Sequence, residues 1–168
     1  DELIQQIVTG NECIAVLGPA VTIVLQSEAM TWGVFSLVNS QRLLGADYHR
    51  WAHDFTDKVS SLIGFMKNED IPHAEAVRAA NDRPFRTREL KSVISRLFLF
   101  GGKDMSERVK EAVDRFVDDL PFSIEEHRND QAAREHLMRQ AQEYAELVDS
   151  ENYRQVQAPE VDQVVIFH

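Results

Sequence analysis

Cysteine is nearly absent: Cys13 is the only one in the chain, so no intrachain disulfide can form. Its apolar neighbours imply a packed thiol, and a single thiol suits a reducing compartment, so a cytoplasmic location is the default expectation. The chain opens at Asp1 without an initiator methionine, which reads as a trimmed start. Positive charge is also missing from the first quarter, where no Lys or Arg precedes Arg42. Across all 168 residues the net charge is −10, which disfavours a nucleic-acid backbone as partner because phosphate neutralisation needs a cationic face. Long apolar runs are lacking too. The uncharged stretches Cys13–Ser27 and Ala29–Gln41 are fifteen and thirteen residues, short of the roughly 20 that a spanning helix requires. There is no repeat and no low-complexity tract.

What is present is an apolar content of 43%, enough for one core of ordinary size, and the length asks for a single domain over 1–168. The stretch "CIAVLGPAVTIVLQSEAMTWGVFSLV", from Cys13 to Val38, carries one charge, Glu28. A helix that is apolar all round needs protein around it, so this stretch is expected at the centre of the fold. Two short apolar pieces joined near Glu28 also have the form of a membrane-inserting hairpin, which is kept as a second alternative.

Leu3, Ile4, Ile7 and Val8 mark a short first helix closed by Gly10-Asn11. Ile14–Leu17 suits a strand or a buried turn. The β-branched run Val21–Val24 argues for extended chain, which would delay the next helix to about Ser27. Trp51, Phe55, Val59, Leu62 and Met66 draw one stripe along a helix from about Asp47 to Asn68, and the first four are expected in the core. A short helix over 72–80 follows. Thr87 then precedes the stripe Leu90, Val93, Ile94, Leu97 and Phe98, which Gly101-Gly102 closes. Val109, Ala112, Val113, Phe116, Val117 and Leu120 form the next. Ser123 and Glu126 have the spacing of a capping box and predict a long helix to about Asn152. Val161–Phe167, rich in β-branched residues, predicts a strand.

The fold expected is mainly α, a bundle of six or seven helices with short strand candidates near both termini. The alternative is an α/β arrangement in which Ile14–Leu17 pairs with Val164–Phe167 across a large helical insertion. Gly18-Pro19-Ala20 would then sit at the carboxyl end of a strand, where open α/β sheets bind phosphates. The pattern "VLGPAVT", followed by Trp32, resembles the first strand and glycine-alanine turn of sirtuin-like NAD-binding domains over about 25 residues. That resemblance implies nucleotide contacts at Gly18, Ala20 and Thr22. Pro19 departs from the family pattern, which has a second glycine in the turn, and the family's later Thr-x-Asn/Asp motif has no counterpart before His168.

Other chemistry is thinly supplied. His49, His53 and Asp57 share one helix face by their spacing of four, but His127, Asp130 and His136 are not tied to them by any spacing, so no metal site is assigned. There is no Gly-x-Ser-x-Gly elbow and no phosphate loop ending in Lys-Ser or Lys-Thr. Asp118-Asp119 and Glu125-Glu126 are adjacent, so on a helix they diverge by about 100° and cannot share a proton. One charge feature stands out. Between Arg78 and Arg96 six basic residues meet only Asp82 and Glu89, a local charge of +4 in an acidic chain. The reading that follows is a helical interaction or regulatory domain without catalysis or cofactor of its own. Its expected partner is an acidic protein surface contacting Arg83, Arg86, Arg88 and Lys91, and a homo-oligomer is compatible with it. The alternative is a nucleotide-binding domain with its ligand at the Gly18 turn, NAD-handling as the sirtuin-like resemblance implies.

Overall fold

The computed structural model describes residues 2–8, 13–56, 71–122, 125–158 and 161–167. Among these it is mainly α-helical, with nine α-helices and one two-stranded antiparallel sheet. The chain divides into two compact units, 1–93 and 94–168. No helix among the described residues is long and apolar enough to cross a membrane.

In the first unit, α1 (Glu2–Val8) packs on α2 (Ile14–Gln26) and on α3 (Trp32–Val38). The strand candidate at Ile14–Leu17 is not formed, because α2 runs unbroken through it and through the β-branched run to Gln26. The chain breaks later, between Ser27 and Thr31, both of which have extended backbone. Helix propensities differ by only a few tenths of a kcal/mol per residue, so burial of one face decides the conformation. That face is Leu17, Ala20, Val21, Val24 and Leu25, all buried at helical spacing. Val16 and Ile23, seven residues apart, lie exposed on another face, so α2 is not enclosed on all sides. Cys13 is likewise exposed, which corrects the expectation of a packed thiol.

Local capping supplies the breaks. The Thr31 hydroxyl accepts from Val34 N at 3.4 Å and starts α3. The Ser40 hydroxyl accepts from Leu43 N at 3.3 Å in the first turn of α4 (Gln41–Thr56). Such caps divide the chain more finely than the six or seven helices read from periodicity. Trp51 is half-buried rather than core. The side chain of Phe55, and Val59, Leu62 and Met66, lie outside the described residues, as does Gly10-Asn11. After α5 (Ile71–Asn81), Pro84 occupies the first turn of the single-turn α6 (Pro84–Thr87), where its missing N–H costs nothing. Both α2 and α4 pack on α6.

Helix α7 (Lys91–Phe100) contains the boundary between the units, and the expected stripe is fully buried at Leu90, Val93, Ile94 and Leu97 but only half-buried at Phe98. It ends at two glycines with separate reasons. A Cβ at Gly101 would stand 2.5 Å from the Leu97 carbonyl oxygen, and Gly102 has φ +82°, a left-handed conformation.

In the second unit, α8 (Lys103–Asp114) packs on α9 (Gln131–Glu146). Met105, Val109, Ala112 and Val113 are buried on α8, while Lys103–Glu107, Arg108–Glu111 and Lys110–Asp114 pair across turns on its wet face. Phe116 meets Tyr144 edge to face, with ring centroids 5.9 Å apart. Helix α9 starts later than the capping-box spacing predicts. Asp130 caps it, its carboxylate accepting from Ala132 N and Ala133 N, whereas Glu125–Asn129 forms a 3-10 turn and Ser123 lies outside the described residues.

The predicted final strand is present as β2 (Val161–Phe167), but α9 stops at Glu146 and β1 (Tyr153–Ala158) precedes it. The two pair antiparallel from Tyr153↔Phe167 to Ala158↔Val161, with a bulge between Val156 and Ala158. Arg154, Gln155 and Ala158 have little strand preference of their own, so β1 exists through its pairing. Tyr153 fastens it: its hydroxyl donates to Leu147 O at 2.8 Å and its ring lies 6.3 Å from that of Phe98. Burial raises the Tyr153 phenol above its usual 10.0, opposed by a hydrogen bond with Ser95. The folded value exceeds the unfolded one, so this contribution is whole below pH 10 and is lost as pH rises through the folded value. Alkaline denaturation followed by circular dichroism should therefore weaken the wild type more steeply than Tyr153→Phe. At neutral pH that variant should lose about 1 kcal/mol with its hydrogen bond. Equal alkaline slopes for the two proteins would remove Tyr153 from this account.

Candidate interaction surface

The basic segment after α5 is held by a residue whose role its sequence context does not announce. Arg50, on α4, directs its guanidinium at four acceptors: Asp47 Oδ1 at 2.7 Å, Asp54 Oδ2 at 3.0 Å, the Phe85 carbonyl, and Arg88 O at 2.9 Å. Two carboxylates from its own helix neutralise it, and the planar fork is left to grip two backbone carbonyls of the following segment. The next residue on α4 adds a third grip, Trp51 Nε1 donating to Thr87 O at 3.3 Å. The main-chain carbonyls of residues 85, 87 and 88 are thus all taken by α4.

Asp47 completes the clasp. It is 4% exposed, and its second oxygen accepts from Leu90 N at 2.6 Å, immediately before α7. The expected local cap, Thr87, is occupied otherwise, its hydroxyl bonding to Pro84 O at 3.3 Å. A carboxylate from α4 therefore satisfies a donor at the head of α7, where negative charge also complements the helix dipole. The i, i+3 and i+4 spacing of Asp47, Arg50 and Asp54 marks an intrahelical charge cluster, but nothing in it reveals the contacts with residues 85–90.

The clasp holds the backbone while leaving basic side chains outward. Arg83 and Arg88 are exposed, and among the described residues neither side chain has an ion-pair or hydrogen-bond partner. Arg86 is half-buried and donates to Asn81 Oδ1 at 2.6 Å, and Lys91 pairs with Glu89 at 3.1 Å. Of the four residues expected at a partner interface, two are engaged locally and two remain available on a pinned segment. Arg78, on α5, is also exposed.

Gly18, Ala20 and Thr22 are placed very differently from a phosphate-binding turn. All three lie within α2; Ala20 is fully buried and the Thr22 hydroxyl donates to Gly18 O at 3.1 Å. A strand end followed by a helix N-terminus is the arrangement that would present free N–H groups, and it does not occur here. The geometric basis of the nucleotide reading is therefore missing. His49 and His53 are exposed on α4, Asp57 lies outside the described residues, and Asp130 is committed to capping α9. Among the described residues no three His, Cys, Asp or Glu side chains converge as metal ligands.

No protein family matches this chain, and neither a curated protein nor a solved structure matches it.

Proposed function

We propose that this chain is a helical protein-interaction domain whose basic segment, centred on Arg83 and Arg88, docks an acidic surface of another protein. The supporting observation is the combination of two exposed arginines, whose side chains are unpaired among the described residues, with a backbone that Arg50, Asp47 and Trp51 hold in place. Preorganisation matters because ordering a loop at the moment of binding costs affinity. The charge balance sharpens the contrast: residues 94–168 contain nine basic and sixteen acidic residues, so an anionic partner is drawn to the basic segment rather than to the second unit.

Fluorescence anisotropy with labelled poly-L-glutamate at low ionic strength tests this reading. Binding that weakens as salt rises is expected, and Arg83→Glu with Arg88→Glu should slow association about tenfold or more. Lys103→Glu with Arg139→Glu imposes the same change in net charge on exposed positions of α8 and α9 and should leave the rate near that of the wild type. No binding by the wild type, or equal losses in both double variants, would refute the assignment of this segment.

A further inference from the structure

Beside the pinned basic segment, α4 carries two aromatic rings that the core does not fully take up. Helix α4 buries Leu43, Leu44 and Asp47, whereas Trp51 is half-buried and Tyr48, one turn earlier, is 43% exposed. The two rings stand 6.1 Å apart between centroids with their planes 37° from parallel, and His49 meets Tyr48 edge-on at 5.9 Å. Trp51 is fixed by its Nε1 bond to Thr87 O, and Arg88 follows in the chain with its own carbonyl held by Arg50. An aromatic shelf therefore adjoins the cationic segment on the same pinned backbone. A large ring left in water forgoes the gain of burial, and tyrosine and tryptophan, with arginine, are the side chains that most often carry the binding energy of protein interfaces.

We infer that Tyr48 and Trp51 receive an aromatic side chain of the acidic partner, flanked in the partner's sequence by carboxylates that meet Arg83 and Arg88. This rests on the reading of the basic segment as an acidic-partner site and adds the feature that selects among acidic ligands. Charge steers a ligand to the segment, but any polyanion satisfies it. A ring on the shelf discriminates, because offset or edge-to-face contact with Tyr48 and Trp51 adds to the area removed from water. Spacing follows from the chain: at about 3.3 Å per extended residue, the carboxylates belong within about three positions of the ring. A short peptide meets only the basic segment and the shelf. A bilayer or a nucleic acid, as an extended polyanion, also meets the rest of a chain whose net charge is −10, so a peptide segment is the occupant that the charge distribution selects.

The experiment uses the full chain and fluorescence anisotropy at low ionic strength, with two labelled peptides: glutamates on both sides of a central phenylalanine, and the same peptide with alanine at the centre. The phenylalanine peptide should bind about tenfold more tightly. Tyr48→Ala should bring it down to the affinity of the alanine peptide, whereas Tyr48→Phe should keep the preference. Trp32→Ala, which removes a ring 48% exposed on α3, should keep it too. Helical circular dichroism of Tyr48→Ala should match the wild type, so that a lost preference is not a lost fold. Equal binding of the two peptides by the wild type overturns this inference and leaves the role of the basic segment standing, whereas binding of neither overturns both. A preference that survives Tyr48→Ala overturns the inference as well. So does tighter binding of oligo-dT or of phosphatidylserine vesicles than of the phenylalanine peptide.

Discussion

Replacing Asp47 with Ala should destabilise the first unit by about 3 kcal/mol, although it deletes a single short side chain from a helix that needs no carboxylate there. About 1–3 kcal/mol comes from Leu90 N–H, whose residue is fully buried and which would lose its acceptor at 2.6 Å. The remainder comes from the charge-assisted bond to Arg50 at 2.7 Å, a class worth about 1.5–3 kcal/mol, less whatever Arg50 recovers from its other three acceptors. Asp47→Asn keeps an acceptor for Leu90 while losing the charge, so it should cost about half as much. Urea melts of the three proteins give the comparison. An alanine variant within about 0.5 kcal/mol of the wild type would mean that the head of α7 is satisfied without α4.

Leu37→Ala should be comparably severe, at about 2–5 kcal/mol, the range found when a fully buried leucine is truncated and the site collapses only in part. Helix α3 is seven residues long, too short to persist on its own propensity, so its place depends on the face it buries. Gly33, Val34, Leu37 and Val38 form that face, and Leu37 is 0% exposed. The helix packs on both α1 and α4, so loosening it should reach both. Amide exchange in α1 and in the first turns of α4 should accelerate together with α3. Destabilisation below about 1 kcal/mol would place Leu37 in a site able to close over the loss.

The basic segment was legible as charge before it was legible as a surface. Six cations between Arg78 and Arg96 are visible in one dimension, but which of them are available depends on Asn81 and Glu89 taking Arg86 and Lys91. Arg50 had no such signal, since its partners at Phe85 and Arg88 are 35 and 38 residues away.

By itself the sequence determined the helices with one-sided stripes. Leu90, just before α7, and Val93, Ile94 and Leu97 on it are buried, as are Val109, Ala112 and Val113 on α8, because alternation between water and core at a 3.6-residue period is written in the residues themselves. It also determined the strand β2, from β-branched composition, and the exits at Gly101-Gly102. Tertiary structure decided the rest. Residues 14–26 are apolar on most sides and β-branched in part, so periodicity is silent and propensity points the wrong way by a small margin that packing overrides. Strand β1 needed β2 beside it, and the cap of α7 came from Asp47 on another helix instead of the nearby Thr87. In each case the deciding free energy belongs to a contact between residues far apart in the chain, and a local pattern cannot encode which distant partner arrives.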